Sequence, residues 1–209
     1  MGKLCDVQRG LEIGKKAILT NGDVKILTGT NVKKYVAKSV SYISFDTLED
    51  FAKDAYYYEG ERLVIRETGS ELTVTYLDYP IYVNRSLYTF KRKPEAPSVK
   101  FLVGCLNSKL LQYFYIEKFK APTELFPKIR IGQAKQLPIP IPTKEQDFVI
   151  SSIVDDILQC AQKGEIDSAL IDKLNRQIYL IYGLSYEDVL IIDPDTTITE
   201  EKYNNSSKI

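Results

Sequence analysis

One run of alternating proline and apolar residues limits the folding of this chain more than any other feature. Its sequence is Leu137-Pro138-Ile139-Pro140-Ile141-Pro142. Each proline lacks an amide proton and fixes its own backbone angle φ, so this run cannot form a helix or a central strand. We therefore predict an extended, stiff connector over residues 138–143, preceded by a first unit over residues 1–137.

Helical patterns follow the connector. Thr143 can cap a first helix that ends at Gly164, Asp167 can cap a second that ends at Gly183, and Ser185 can open a short third. The apolar positions recur every three or four residues, at Val149, Ile153, Ile157 and Ala161 in the first helix and at Ile171, Leu174, Ile178 and Ile181 in the second. These signals predict a helical hairpin and a short helix over residues 144–192, and then a flexible tail over residues 193–209.

The pattern before the connector is mixed. Segments that alternate or are rich in β-branched residues predict strands at 24–27, 39–45, 62–66, 71–76 and 86–91. Asp46 can cap a helix that runs through Ala55, and Ser98 can cap a longer one from Val99 to about Phe119. The longer helix is apolar on nearly every face, so we expect it to be buried against a sheet. The fold class is therefore α+β, with a mixed or antiparallel sheet, packed helices and a C-terminal helical hairpin.

Composition excludes several classes of protein. The chain has no histidine, which removes hydrolases with an imidazole base and histidine-ligated zinc enzymes. Cys5, Cys105 and Cys160 lie far apart in the sequence, which favours reduced packing residues over disulfides or a thiolate zinc site. No apolar run approaches the roughly 18 residues of a membrane span, and the N-terminus does not resemble a secretory signal. We expect a cytoplasmic protein without a membrane partner.

The candidate motifs for nucleotide binding, metal-dependent cleavage and methyl transfer are incomplete in this sequence. The segment from Gly10 to Lys15 resembles a phosphate loop, but its spacer is one residue short, and Lys16 stands where a Mg²⁺-binding Ser or Thr is needed. Asp23-Val24-Lys25 is the one acid-x-Lys triplet outside the tail, and it lacks a clear upstream acidic partner for a metal-dependent nuclease. The glycine-rich turn and the Asn-Pro-Pro-Tyr-type loop of methyl-transfer enzymes are missing. We predict no catalytic residues, no metal ligands and no cofactor in this chain.

Charge divides along the chain although the net charge is zero. Residues 1–142 contain 22 Lys and Arg against 15 Asp and Glu, a net charge of +7, and residues 143–209 carry −7. A basic first part joined to an acidic second part favours contact between the first part and a polyanion. Two other interpretations of this charge difference stay open. It is an accident of surface composition, or the chain is a protein-interaction module with a basic surface.

Basic residues of the first part stand beside aromatic and small polar residues, as they do in many nucleic-acid-binding proteins. The clusters are Lys33-Lys34-Tyr35, the segment from Arg62 to Gly69, Arg85-Ser86-Leu87-Tyr88, Lys118-Phe119-Lys120 and Lys128-Ile129-Arg130. For Arg66 the competing interpretation is a surface cation paired with Glu67 or Glu71.

Several of these segments fall in a recognisable order. They are Gln8-Arg9-Gly10-Leu11-Glu12-Ile13-Gly14-Lys15, Ile65-Arg66-Glu67-Thr68-Gly69, Tyr82-Val83-Asn84-Arg85-Ser86-Leu87-Tyr88, Leu102-Val103-Gly104-Cys105-Leu106-Asn107-Ser108-Lys109, Phe126-Pro127-Lys128-Ile129-Arg130, Leu137-Pro138-Ile139-Pro140 and the closing stretch from Ile178 to Ser185. As a set they resemble the TaqI-like C-terminal specificity domain, the target-recognition part of adenine-specific DNA methyltransferases and fused restriction-modification enzymes. Glu67 departs from the basic or polar residue that this family often has at that position.

The resemblance implies that DNA recognition and catalysis lie in different domains or subunits. This chain would hold double-stranded DNA and read its sequence, and a methyltransferase domain or subunit outside it would bind S-adenosylmethionine and flip an adenine. The chain would not be an enzyme on its own, and its acidic hairpin would pack away from DNA. The candidate DNA-binding residues are Arg9, Lys15, Lys33, Lys34, Arg66, Thr68, Arg85, Ser86, Lys118, Lys120, Lys128 and Arg130.

Overall fold

The computed structural model of this chain describes residues 1–51, 54–119 and 128–205. The strands are β1 (Cys5–Arg9), β2 (Val24–Leu27), β3 (Val32–Lys33), β4 (Val36–Ala37), β5 (Ser41–Ile43), β6 (Arg62–Arg66), β7 (Val74–Leu77), β8 (Tyr82–Val83) and β9 (Leu87–Arg92). The helices are α1 (Phe45–Phe51), α2 (Val99–Asn107), α3 (Lys109–Phe119), α4 (Ile131–Lys135), α5 (Lys144–Lys163), α6 (Ser168–Ile181), α7 (Tyr186–Ile192) and α8 (Glu200–Asn204). In this part of the chain, no helix is long and apolar enough to cross a membrane.

The strands form a main sheet, a smaller sheet and a two-stranded ribbon. The main sheet has the order β1-β9-β6-β7, and all of its neighbours are antiparallel. The smaller sheet has the order β5-β2-β8, in which β2 and β8 run parallel. The ribbon pairs β3 with β4. The α+β prediction, with mixed and antiparallel sheets, is confirmed.

The main sheet is covered on both faces because its side chains alternate between two hydrophobic clusters. On β6, Leu63 and Ile65 belong to the cluster that includes the helices, whereas Val64 belongs to the cluster that includes the smaller sheet. The smaller sheet supplies residues such as Ile26 and Val83 to that second cluster. This layering explains why β6 reads as an almost continuous apolar run rather than as an alternating one.

The helical part shares the core of the first part. Residues of α2 are buried along nearly its whole length, and α2 packs on β6, β7 and α5. Leu102, Ile153 and Ile178 lie in one hydrophobic cluster, although the connector separates the first from the other two in sequence. The connector itself is neither helix nor strand, and it crosses the surface of a continuous core.

The helix ends after the connector agree with the expected caps. Thr143 forms a capping box with Gln146, Gly164 ends α5, Asp167 caps α6, and Ser185 caps α7. The tail prediction is wrong for part of its length, since residues 200–204 form α8. Tyr203 is buried there, and its hydroxyl donates to the carbonyl of Leu184 at 2.8 Å, which anchors this segment.

Two earlier helix predictions also need correction. α1 begins at Phe45, and the hydroxyl of Ser44 accepts from the amide of Thr47, so Ser44 rather than Asp46 caps it. The long helix expected from Val99 to Phe119 is divided at Ser108, whose backbone is extended. The Ser108 hydroxyl donates to the carbonyl of Cys105 in the last turn of α2 and accepts a hydrogen bond from the amide of Leu111, so one serine closes α2 and opens α3. The expected burial therefore holds for α2, whereas α3 buries only Leu111 and Tyr115 among its described residues.

Candidate nucleic-acid interface

Strand direction brings several basic residues to one end of the main sheet. Arg9 ends β1 and lies opposite Tyr88 near the start of β9. Arg66 ends β6 and lies opposite Leu87, the first residue of β9. Because neighbouring strands are antiparallel, the segments that follow Arg9 and Arg66 emerge at the same end as the segment that precedes Leu87.

The smaller sheet adds a further loop at the same end. β2 and β8 run parallel, so the residues after Leu27 and after Val83 leave side by side, and the amide of Asn84 donates to the carbonyl of Leu27 at 2.9 Å. The amide of Gly29 donates to the Ser86 hydroxyl at 2.7 Å, and that hydroxyl lies 2.5 Å from the Asn84 side-chain oxygen.

Backbone hydrogen bonds then join these loops to two more. The amide of Glu67 donates to the carbonyl of Ser86 at 2.9 Å, and the amide of Ile129 donates to the carbonyl of Glu67 at 2.8 Å. Thr68 and Lys128 form an isolated antiparallel bridge beside this contact. We call residues 28–31, 67–73, 84–86 and 128–130 the loop corner, since these four segments are tied together at one end of the sheet.

Glu67 organises the loop corner. Both of its carboxylate oxygens lie 3.0 Å from one guanidinium nitrogen of Arg9, and the Tyr88 hydroxyl donates to it at 3.1 Å. Arg9 also donates to the carbonyl of Arg85 at 2.9 Å and lies 3.6 Å from Glu12. Burial, and then the negative charge of Glu67, raise the pKa of Tyr88 to about 12. The predicted site residue Arg9 is thus held by carboxylates, and Glu67, which sequence reasoning treated as a departure, fixes it in place.

Arg66 has a different environment from the surface ion pair considered above. Glu67 pairs with Arg9, and Glu71 pairs with Lys34 at 2.7 Å, so within the described ranges no carboxylate neutralises Arg66. Its Nε atom is buried without a hydrogen-bond partner in the described structure. A Cβ atom at Gly69 would lie 2.7 Å from Arg66 Nη2, so the backbone at Gly69 packs directly against this guanidinium, and a larger residue there would displace it.

The other candidates divide into those at the corner and those elsewhere. Thr68, Arg85, Lys128 and Arg130 are exposed in the loop corner, and Ser86 lies half-buried at its centre. Lys33 and Lys34 lie on the ribbon of β3 and β4, which is fixed to the main sheet by a hydrogen bond from the Tyr35 amide to the carbonyl of Val74 at 2.9 Å.

Two described candidates lie outside both the corner and the ribbon. Lys15 lies in a short 3-10 turn after β1, and Lys118 lies at the end of α3, where its ammonium stands 5.1 Å from the ring centre of Phe114. Lys120 lies outside the described residues.

Arg62, which sequence analysis grouped with the basic clusters, has a structural role. It is fully buried and donates to the carbonyls of Gly60, Tyr79 and Ile81 at 2.7 to 3.1 Å. Burial lowers its pKa to about 10. The sequence holds no signal that separates this buried arginine from Arg66, since both lie at ends of the same strand.

Acidic and sulfur-containing side chains do not gather into a metal site in the part of the chain described here. Among residues 1–51, 54–119 and 128–205, no group of three or more such side chains could hold a metal ion. The arrangement at the loop corner is one of tied loops that carry cations and hydroxyls, which can donate hydrogen bonds to phosphates and base edges.

Comparison with known proteins gives a sequence relative and two solved structures that are similar to this chain. Over 119 residues the chain is 30% identical to RM.MjaORFECS2P of Methanocaldococcus jannaschii, which is named as a type II restriction enzyme and methyltransferase; the match covers 52% of this chain and 9% of that protein. The type IIL restriction-modification enzyme MmeI, solved in complex with DNA, has a TM-score of 0.56 at 12% identity and is similar over 92% of this chain and 32% of its own. The HsdS subunit from Thermoanaerobacter tengcongensis has a TM-score of 0.48 at 17% identity, over 87% of this chain and 42% of its own. The chain therefore spans less than half the length of each of these proteins.

The TaqI-like C-terminal specificity domain matches residues 24–139, which is more than half of the chain. The chain belongs to this family.

Proposed function

We propose that this chain reads the target sequence of duplex DNA for a restriction-modification enzyme or an adenine-N6 DNA methyltransferase. The observation that carries the proposal is Arg66, which ends β6 at the loop corner, lies against Gly69 and is not neutralised by any described carboxylate. An arginine guanidinium can donate two hydrogen bonds to the edge of one guanine in the major groove. The exposed cations Arg85, Lys128 and Arg130 stand on neighbouring loops, where they can bind backbone phosphates.

The catalytic part of this function is proposed to lie outside the chain. A methyltransferase domain or subunit would bind S-adenosylmethionine and flip the target adenine, while this chain holds the DNA without catalysis of its own. Support comes from the family match and from the relative that is named as both a restriction enzyme and a methyltransferase. A protein-interaction module with a basic surface is the competing function, and it predicts binding to acidic proteins instead of a preferred DNA sequence.

Selection from a randomised duplex library tests the proposal. At low salt, the DNA retained by the wild-type chain should be enriched in one sequence motif. Arg66→Ala should lose the preference at one position of that motif, because a bidentate base contact discriminates by about 1 to 3 kcal/mol. Its melting temperature should stay near that of the wild type, since Arg66 has no described ion pair to lose.

Lys25→Ala is the matched control. Lys25 is an exposed cation near the start of β2, at the opposite end of the smaller sheet from the loop corner, so its loss should leave the motif unchanged. Retention of DNA without any enriched motif, together with displacement by an acidic protein, would assign the chain to the protein-interaction class.

A further inference from the structure

A basic cleft separates the ribbon of β3 and β4 from the turn between α5 and α6. The cleft has a volume of about 360 Å³, and its lining includes Lys33, Lys38 and Arg66 on one side and Gly164 and Ile166 on the other. The helical hairpin was expected to pack away from DNA. Its turn instead forms a wall of a cleft that reaches the loop corner through Arg66.

The charges in this cleft are unbalanced. Lys33, Lys34, Lys38 and Arg66 line it together with a single carboxylate, Glu71. Glu71 lies 2.7 Å from the Lys34 ammonium and is therefore already engaged. Within the described ranges, the other three cations have no ion pair. Three like charges that share a concave surface repel one another, and a bound anion would relieve that repulsion.

The cleft continues into a neighbouring hollow. A second hollow of about 470 Å³ adjoins it and shares Lys34, Glu71 and Ile166 with it. The two hollows together form an elongated groove that begins beside Arg66 at the loop corner and continues along the hairpin turn. The excess of positive charge lies in the cleft beside Arg66, because the lining of the second hollow balances Lys34 and Lys109 with Glu71 and Asp172. A DNA strand that follows the groove would therefore place its phosphates in the cleft beside Arg66.

We propose that the sugar-phosphate backbone of one DNA strand lies in this groove, between the basic ribbon and the turn of the helical hairpin. The inference rests on the proposed function and adds to it a second wall for the interface. Lys33 and Lys38 contact phosphates, Lys34 is positioned by Glu71, and Ile166 lies beside the strand. The hairpin thus fixes the path of the DNA in addition to packing on the core.

Ile166 gives a sharp test because it lines both hollows and is 38% exposed, so it can be replaced without opening the core. Binding of the 209-residue chain to a fluorescent duplex is measured by anisotropy over a series of NaCl concentrations. Ile166→Glu should weaken binding about fivefold to tenfold relative to Ile166→Gln at low salt, since only the first adds a negative charge beside the phosphates. The two variants have side chains of the same size, and the comparison therefore isolates charge.

Lys38→Ala supplies a second measurement. It should reduce the slope of log K against log salt by about 0.9, the value for one phosphate contact, whereas Lys25→Ala should leave the slope unchanged. Inorganic phosphate should compete no better than chloride at the same ionic strength. Displacement of the duplex by low millimolar inorganic phosphate would assign the groove to a free phosphate compound and would overturn the proposal.

The outcomes separate this inference from the proposed function. If wild-type binding is salt-dependent, yet Ile166→Glu binds as Ile166→Gln does and Lys38→Ala keeps the full slope, the groove lies off the DNA path and the recognition function stands. If wild-type binding to duplex DNA shows no salt dependence, the proposed function itself fails.

Discussion

Replacing Gly10 by alanine should push β1 away from the segment that carries Asn84 into the loop corner. A Cβ atom at Gly10 would lie 2.2 Å from the carbonyl oxygen of Asn84 and 2.4 Å from that of Val83. Both neighbours are backbone atoms, which cannot turn aside as a flexible side chain can. The resemblance of residues 10–15 to a phosphate loop therefore has a different explanation, because Gly10 allows two backbone segments to touch.

The size of the effect follows from what must move. Relief of these contacts needs a backbone shift of roughly 0.8 Å or more, since carbon and oxygen atoms rarely approach closer than about 3 Å without a bond between them. The shift would strain two hydrogen bonds, from the Gly10 amide to Leu87 at 3.0 Å and from the Leu11 amide to Val83 at 2.8 Å. Two weakened buried hydrogen bonds and the overpacking together should cost about 3 to 5 kcal/mol. For a chain of this size that corresponds to a loss of roughly 10 °C in melting temperature.

Gly14→Ala is the matched control for this measurement. No atom lies within 4 Å of a Cβ at Gly14, and its φ of −80° is allowed for alanine. Its free energy of unfolding should change by less than about 0.5 kcal/mol. Thermal unfolding followed by circular dichroism compares the three proteins. If Gly10→Ala melts within two degrees or so of both the wild type and Gly14→Ala, the reasoning from backbone contact is refuted.

Two other predictions concern the core and the loop corner. Ile153→Asp should lower the free energy of unfolding in urea by about 3 to 5 kcal/mol, because Ile153 is 2% exposed and the new carboxylate would be buried without a partner. Phe148→Asp on the same helix, at a residue 74% exposed, should change the free energy of unfolding by less than about 0.5 kcal/mol. Equal urea midpoints for the two variants would mean that α5 presents a different face to the core. The folded-state pKa of Tyr88 is raised to about 12, above its unfolded value near 10, so its contribution to stability is complete below about pH 10 and is lost as the pH rises toward 12. Tyr88→Phe should therefore lose less free energy of unfolding between pH 10 and 12 than the wild type does, and parallel profiles would contradict this assignment.

Signals that act over a few residues were sufficient to predict much of the fold. Thr143 and Asp167 cap the helices that their positions indicated, because a cap is a hydrogen bond between residues two or three apart. The first apolar stripe was predicted in part: Ile153 and Ile157 are buried as expected, and Val149 is only partly buried while Ile150 takes a core position. Helical periodicity is local, so only the rotation of the stripe was left to the tertiary packing.

The candidate site could be predicted as a set of residue types and not as an arrangement. Basic character at Arg9, Arg66 and Lys128 is visible in the sequence, and charge segregation indicated which part of the chain would meet a polyanion. Strand order then decided which of these residues share one end of the sheet. Contacts such as that between Arg9 and Glu67 join residues 58 positions apart, and no local pattern encodes them.

The sequence by itself determined the helix caps after the connector, the extended connector, the α+β class and the basic character of the first part, because each depends on near neighbours or on composition. Only the tertiary structure decided that Arg9 is neutralised, that Arg62 is buried, that Arg66 has no ion pair among residues 1–51, 54–119 and 128–205, and that the hairpin turn faces a basic groove. The physical reason is that the energy of a charge depends on its burial and its partners, and both are set by chain segments that lie far apart in sequence.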